Sequence, residues 1–332
     1  MSIINARIVG VNFSPETYHN VSTPRGEIEF PMSPSALKEF AKCPSRWLAG
    51  YESPDSDAKR YGSMLDCILL TPERFEKAYA VLPADAPRKP TKAQTSAKKP
   101  SPESIAAINW WTQFVVQHPG AEIIDSEEHA ALTVAVHRLR SDEVIASYLD
   151  DSDKQVLVMA EWKDEPTGLT IPVRCLLDLV PRTGTEFEKT AGDVKTVTSA
   201  AINAFQCKVF DLSWHVQGAF DLDMLAAATG EDRNSWVWIV QENYAPWQTG
   251  KRLMSQAFLE LGRSAYRKQL GLYCECLKRN RWFGYDDHDE AIQNWTLVSP
   301  SPWMESEGLF APKFESEEAP ETEQPEQIGI TP

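Results

Sequence analysis

The chain has 332 residues, 42% hydrophobic and 10% aromatic, with 33 basic against 48 acidic side chains and a net charge of −15. That composition supports a folded core of one large domain or two modest ones. The excess of acid argues against a protein that coats nucleic acid by bulk charge, though not against a local basic grip aided by a metal. No apolar run approaches the ~20 residues of a membrane span, and Met1–Pro15 lacks a secretory pattern. A soluble cytoplasmic protein with no membrane attachment is expected.

Residues 1–30 follow no clear period and read as an irregular lead-in. Ser33 followed by Pro34 offers a capping hydroxyl and a first-turn proline. A helix is expected from there to about Lys42, since Pro44 disfavours helical backbone at Cys43. A second helix is predicted over Tyr61–Leu70, with Leu65, Ile68 and Leu69 facing a core and Gly62, Asp66 and Leu70 on one stripe. Residues 83–102 hold five prolines and the cations Arg88, Lys89, Lys92, Lys98 and Lys99, and read as an exposed, mobile loop. That charge either steers a polyanion or is simply solvated. Helical patterns resume at Glu103–Gln117 and Glu127–Asp150. Gln155–Lys163, Leu169–Val180 and Thr190–Val197 are short, rich in β-branched residues and separated by turn signals, so they read as consecutive antiparallel strands. Helices at Ala200–Phe210 and Ser213–Ala228, a strand at Ser235–Gln241 and a long helix at about Arg252–Asn280 follow. This order predicts an α/β fold, a central mixed sheet flanked by helices, in one domain over residues 31–300. Residues 313–332 read as a disordered acidic tail.

The chemistry concentrates in Arg174–Thr196. Side chains alternate along a strand, so Asp193 and Lys195 share a face with Val194 behind them. On the preceding strand Asp178 shares parity with Leu176 and Arg174. If the two strands are neighbours, two carboxylates and an ammonium converge. Such a group is either a set of ion pairs on a solvated face or a site for a hard divalent cation beside a phosphate. In the second case Lys195 holds the attacking water or offsets charge on the reacting phosphorus.

Asp178 followed by Asp193-Val194-Lys195 resembles the PD-(D/E)XK nuclease motif in its RecB-like form. Ser33 with Phe40, Cys43-Pro44 and Trp47 is similar to the entry helix of those nucleases. Tyr61-Gly62 through Asp66 to Phe75 is similar to the G-x-x-x-H helix of RecE-type exonucleases, with Asp66 in place of His. Trp214 to Phe220 resembles their H-x-Q helix, with Asp221 where a Tyr is common. Gly262 to Tyr266 and Trp282 to Tyr285 resemble their last helix and its exit.

The resemblance implies a restriction-endonuclease-like core and a Mg²⁺-dependent exodeoxyribonuclease, with Mn²⁺ as a substitute ion. Its substrate would be linear double-stranded DNA ends, resected for phage-type recombination. The partner would be a RecT-like single-strand annealing protein, and self-assembly into a homo-oligomer is carried over as an expectation. Asp178, Asp193 and the Val194 carbonyl would ligate metal, with Asp66 and Glu161 completing the acidic set. Lys195 would be catalytic, and Gln217 would orient it or touch a phosphate. Two other readings stay open: a DNA-binding module of the same fold that does not cut, motivated by Asp66 and Asp221, and a RecB-like nuclease of another pathway.

Other residues carry competing readings. Glu161 is equally a solvent-facing strand residue, and Arg174 either contacts DNA or pairs with an acid. His215 is read as a structural ring bonded to backbone. Trp110, Trp111, Trp236 and Trp238 are read as core rather than base-stacking surfaces. The six cysteines lack the C-x-x-C step of an iron–sulfur nuclease and are expected to be buried free thiols.

Overall fold

A computed structural model of the chain describes residues 2–285 other than 53 and 55. Strand β1 (Ser2–Gly10) and the one-turn helix α1 (Pro15–His19) open it, correcting the expected irregular lead-in. Register shifts between Ile4 and Arg7 and between Ile8 and Gly10 break the alternation of β1, which hides its period in the sequence. Helix α1 carries the usual start signal, with the Ser14 hydroxyl accepting from the Thr17 amide ahead of Pro15.

Helices α2 (Pro34–Lys42), α3 (Pro44–Leu48), α4 (Asp57–Leu70) and α5 (Pro72–Ala78) follow. Ser33 and Ser56 cap α2 and α4 through their hydroxyls. Next come β2 (Tyr79–Val81), the single turn α6 (Lys92–Thr95), α7 (Pro102–Gln117) and β3 (Glu122–Ile124). The segment expected to be all loop thus contains α6, closed by a Thr91–Gln94 capping box. The helix expected over Glu127–Asp150 is two, α8 (Ser126–Arg140) and α9 (Glu143–Asp151), because the Asp142 carboxylate takes the first amides of α9 and starts it afresh.

The rest is β4 (Ser152–Asp164), β5 (Leu169–Pro181), β6 (Thr190–Val197), α10 (Ile202–Asp211), α11 (Trp214–Thr229), β7 (Ser235–Glu242), β8 (Thr249–Leu253) and α12 (Gln256–Arg279). Strand β8 was not anticipated; its sequence, TGKRL, has almost no apolar alternation to announce it. The tail and the end of the expected domain lie outside the described residues.

The main sheet runs β1-β4-β5-β6-β7-β8, with β6 and β7 parallel and the other pairs antiparallel, while β2 and β3 form a separate parallel pair. This is the predicted mixed sheet flanked by helices. Two apolar layers cover it. One joins Phe40, Trp47, Val216, Tyr266 and Tyr273 to the sheet residues Val173, Cys175 and Trp236. The other packs Met64, Leu65, Leu132 and Leu149 against Leu179, Val194 and Ile239. Trp236 and Trp238 are core, as read from the sequence, whereas Trp110 and Trp111 are only half-buried.

Two glycines let backbones meet where the site is built. A Cβ on Gly262 would collide with the His215 carbonyl and sit 2.8 Å from Ala219 Cβ, so α12 touches α11 directly. A Cβ on Gly62 would come 3.1 Å from Thr196 Oγ1, so α4 is seated against β6. No described helix is long and apolar enough to cross a membrane.

Candidate active site

Strands β5 and β6 share a single register pair, Leu179 with Gly192, and then part. The parting leaves backbone groups without ladder partners, and side chains take their place. The Val194 amide donates to Asp178 Oδ2 at 3.3 Å, and the Gln155 amide nitrogen donates to Asp178 Oδ1 at 3.2 Å. Asp178 also meets the carboxyl of Asp193. Val194 points away into the layer holding Met64 and Leu65. The predicted arrangement of Asp178, Asp193 and Lys195 on one side, with Val194 behind, is what the strands form.

Lys195 joins the acids to a helix. Its ammonium pairs with Asp193 Oδ2, donates to Gln217 Oε1 at 3.3 Å and lies 5.4 Å from the centre of the Trp214 ring. Gln217 and Asp221 are one turn apart on α11 and line the same cavity. The neighbouring His215 turns inward, its Nδ1 3.1 Å from the Val209 carbonyl, and serves the structural role read for it. Asp66 reaches the cavity from α4, whose approach Gly62 permits.

Charge in this place is unbalanced: four aspartates face one lysine. Burial raises Asp178 well above the usual carboxylate range, and Asp193 and Asp66 push it further. Burial and the Asp193 charge likewise raise Asp221. Asp66 is pushed up to about 7 by burial and Asp193, with Lys195 opposing. For Lys195 burial disfavours the charge, but Asp193 and Asp178 outweigh it and hold the ammonium charged.

At the site Asp66 Oδ1 and Asp221 Oδ1 are buried without a hydrogen-bond partner, and Asp193 Oδ2 is buried against the Lys195 ammonium. Carboxyl oxygens in surplus over cations suit a hard divalent cation, which prefers oxygen and keeps some of its waters. Among the described residues, no three His, Cys, Asp or Glu side chains are placed to hold such an ion together. Of the expected set of Asp178, Asp193, the Val194 carbonyl, Asp66 and Glu161, the side chains of Asp178 and Asp193 are in contact, and Asp66 acts on Asp178 through charge. PD-(D/E)XK nucleases in general use divalent metal ions, and this donor set is compatible with one.

Glu161 is not at the site. It faces Pro172 across the β4–β5 ladder and accepts from Asn5 of β1. Six residues separate it from Gln155, the β4 residue beside Asp178, or about 20 Å of strand. Gln155 takes the place expected for an acid, and sequence reasoning passed over it. Its φ of 50° is a local departure from strand geometry.

The expected DNA contacts lie elsewhere too. Arg174 stacks 4.4 Å over the Tyr18 ring; among the described residues it pairs with no acid, and it does not line the cavity. Arg88, Lys89 and Lys92 are exposed and line no part of the cavity, and Lys89 sits 5.5 Å from the Trp111 ring. The basic side chains that do line it, besides Lys195, are Lys38, Arg74 and His19, the last held toward its neutral form by burial. The Ser14-Pro15-Glu16 cap could have flagged the helix bearing His19. The six cysteines are free, but only Cys43, Cys175, Cys274 and Cys276 are buried.

A family model described as a PDDEXK-like domain of unknown function (DUF3799) matches residues 33–294. A crystal structure of a candidate exonuclease from Eubacterium rectale has 16% identity and a TM-score of 0.51, covering 90% of this chain and 98% of its own. An alkaline exonuclease from Laribacter hongkongensis has 12% identity and a TM-score of 0.24 over 57% of this chain and 89% of its own. A search of curated proteins returned no significant match. With the forked strands, the Asp–Asp–Lys group and a family match over most of its length, the chain belongs to the PDDEXK-like family and has the fold of the PD-(D/E)XK nucleases.

Proposed function

We propose that the protein is a Mg²⁺-dependent exodeoxyribonuclease that resects linear double-stranded DNA, with Mn²⁺ able to replace Mg²⁺. The observation that carries this reading is the contact of Asp178 with Asp193 at the strand fork, beside a lysine held charged. Asp178, Asp193 and the Val194 carbonyl would hold the cation. A divalent cation held there would supply Lewis acidity toward a phosphate and toward water.

The protein's own groups do the remainder. Lys195 presents an ammonium where charge builds on the phosphate oxygens. Gln217 fixes its direction through the 3.3 Å hydrogen bond. Asp66 and Asp221 add carboxyl oxygens to the cavity, and a bound cation would favour their ionised forms. The role in phage-type recombination and the RecT-like annealing partner belong to the same proposal and rest on the motif resemblance.

Digestion of linear and covalently closed duplexes in Mg²⁺ and in Mn²⁺ tests it. Loss of the linear DNA alone is expected, and the loss should cease in Asp193→Asn and Lys195→Ala proteins that melt as the wild type does. Full activity in either variant refutes the site. Binding without cleavage in both metals would instead identify a DNA-binding module of the same fold.

A further inference from the structure

The cavity at the fork is larger than the acidic group needs. It encloses about 690 Å³, and its lining reaches from Asp178 and Lys195 to α1, the start of α2 and α5. The same lining carries Lys38 and Arg74, the hydroxyls of Ser35 and Ser63, and the imidazole of His19, which burial holds toward its neutral form. In a chain of net charge −15, a lysine and an arginine lining one cavity with Lys195 mark a local exception. Burial lowers Lys38, and Lys42 and Lys195 add to the effect against Glu39, so an anion in the cavity would stabilise its ammonium.

Arg74 is the group best prepared to meet one. Its Nη2 pairs with Glu16 and donates to Ser14 Oγ at 3.1 Å, while its Nη1 is buried and has no hydrogen-bond partner. Glu16 is 70% exposed at the side chain and is held by Arg74 and by the Ser14 hydroxyl, which donates at 2.6 Å. A pair with one partner so exposed contributes little, so an incoming anion displaces the carboxylate at small cost. A phosphate matches the guanidinium fork better than a single carboxylate oxygen does, because it can engage two nitrogens at once.

We propose that Arg74 binds a backbone phosphate of the substrate strand, and that Glu16 holds this arginine in the DNA-free protein until the phosphate takes its place. The inference rests on the reading of the cavity as a DNA-cleaving site. It gives that site a second point of attachment, at the start of α5 beside α1.

The test is binding of a short fluorescein-labelled duplex by fluorescence anisotropy, over a range of KCl, with Ca²⁺ replacing Mg²⁺ to suppress cleavage. Arg74→Ala should weaken binding and reduce the slope of log K against log salt by about 1, the loss of one phosphate contact. Glu16→Gln should tighten binding about two- to fivefold, the fold-change of a weak pair released. The double variant should match Arg74→Ala alone, because Glu16 acts only through the arginine. Arg74→Lys, with the charge kept and the fork lost, should fall between, and melting curves will show whether each variant folds. An unchanged salt slope in folded Arg74→Ala overturns the proposal, as does Glu16→Gln binding no tighter than the wild type. Wild-type protein that cuts duplex while Arg74→Ala is indifferent sinks this inference alone. Wild-type protein that neither binds nor cuts sinks the proposed function and this inference with it.

Discussion

Lys195 Nζ donates to Gln217 Oε1 across 3.3 Å, so the motif lysine of β6 is aimed by a residue of α11. The same ammonium is paired with Asp193. Without the glutamine it would collapse onto that carboxylate and turn from an incoming phosphate. Gln217→Ala should therefore lower kcat by about tenfold and leave KM nearly unchanged, whereas Lys195→Ala should cost about 10²–10³ in kcat. Single-turnover digestion of a linear duplex measures both. A Gln217→Ala enzyme changed only in KM would mean that the glutamine binds substrate and does not aim the lysine.

The surplus of carboxylates predicts stabilisation by divalent cations. A cation that binds the folded protein and not the unfolded chain raises Tm with its concentration. Mg²⁺ or Mn²⁺ added to chelator-treated protein should do so, and Asp193→Asn should remove most of the shift. Asp66→Asn should retain part of it, because Asp66 acts on the Asp178–Asp193 pair through charge. Differential scanning fluorimetry suffices, and no DNA is needed.

The central motif was legible because its information is local. Strand parity over Asp193-Val194-Lys195 dictates which side chains share a face, and the i, i+4 step from Gln217 to Asp221 places both on one face of α11. What failed was non-local. Glu161 looked like a candidate because it lies on the strand before Asp178, yet its place depends on a ladder that sets it opposite Pro172. Its hydrogen-bond partner, Asn5, belongs to β1, whose shifted register concealed the strand. The basic loop was conspicuous by composition, whereas the cavity draws Lys38 and Arg74 from helices where each looks like an ordinary surface cation. Only the fold brings those two to one cavity.

Gly262 predicts a packing lesion with a functional consequence. Its missing side chain lets α12 touch α11 at His215, two residues before Gln217. In Gly262→Ala the new methyl meets backbone, which cannot swing aside as a flexible side chain would. The helices must separate, at about 1–3 kcal/mol or more. Urea denaturation should show this loss. Activity per folded molecule should also drop, since moving α11 draws Gln217 away from Lys195. A variant equally active per folded molecule would show that the site tolerates the shift.

Asp221 offers the converse, a substitution expected to stabilise. Its carboxyl is buried, raised well above the usual range by burial and by Asp193, and has one oxygen without a partner. A carboxyl with a raised folded-state pKa binds its proton more tightly in the native protein. Its burden is therefore absent below the unfolded value of 3.8 and grows as pH rises above it. Asp221→Asn keeps the shape and removes the charge. In cation-free buffer the variant should melt above the wild type at pH 7, by roughly 2–4 °C for each kcal/mol relieved. The two curves should converge as pH falls toward 3.8 and below. Added Mg²⁺ should narrow the gap at pH 7 from the other direction, because the ion relieves in the wild type what the substitution has already removed. A variant less stable than the wild type at pH 7 would show that the Asp221 carboxylate is paired in the native protein more strongly than its surroundings imply.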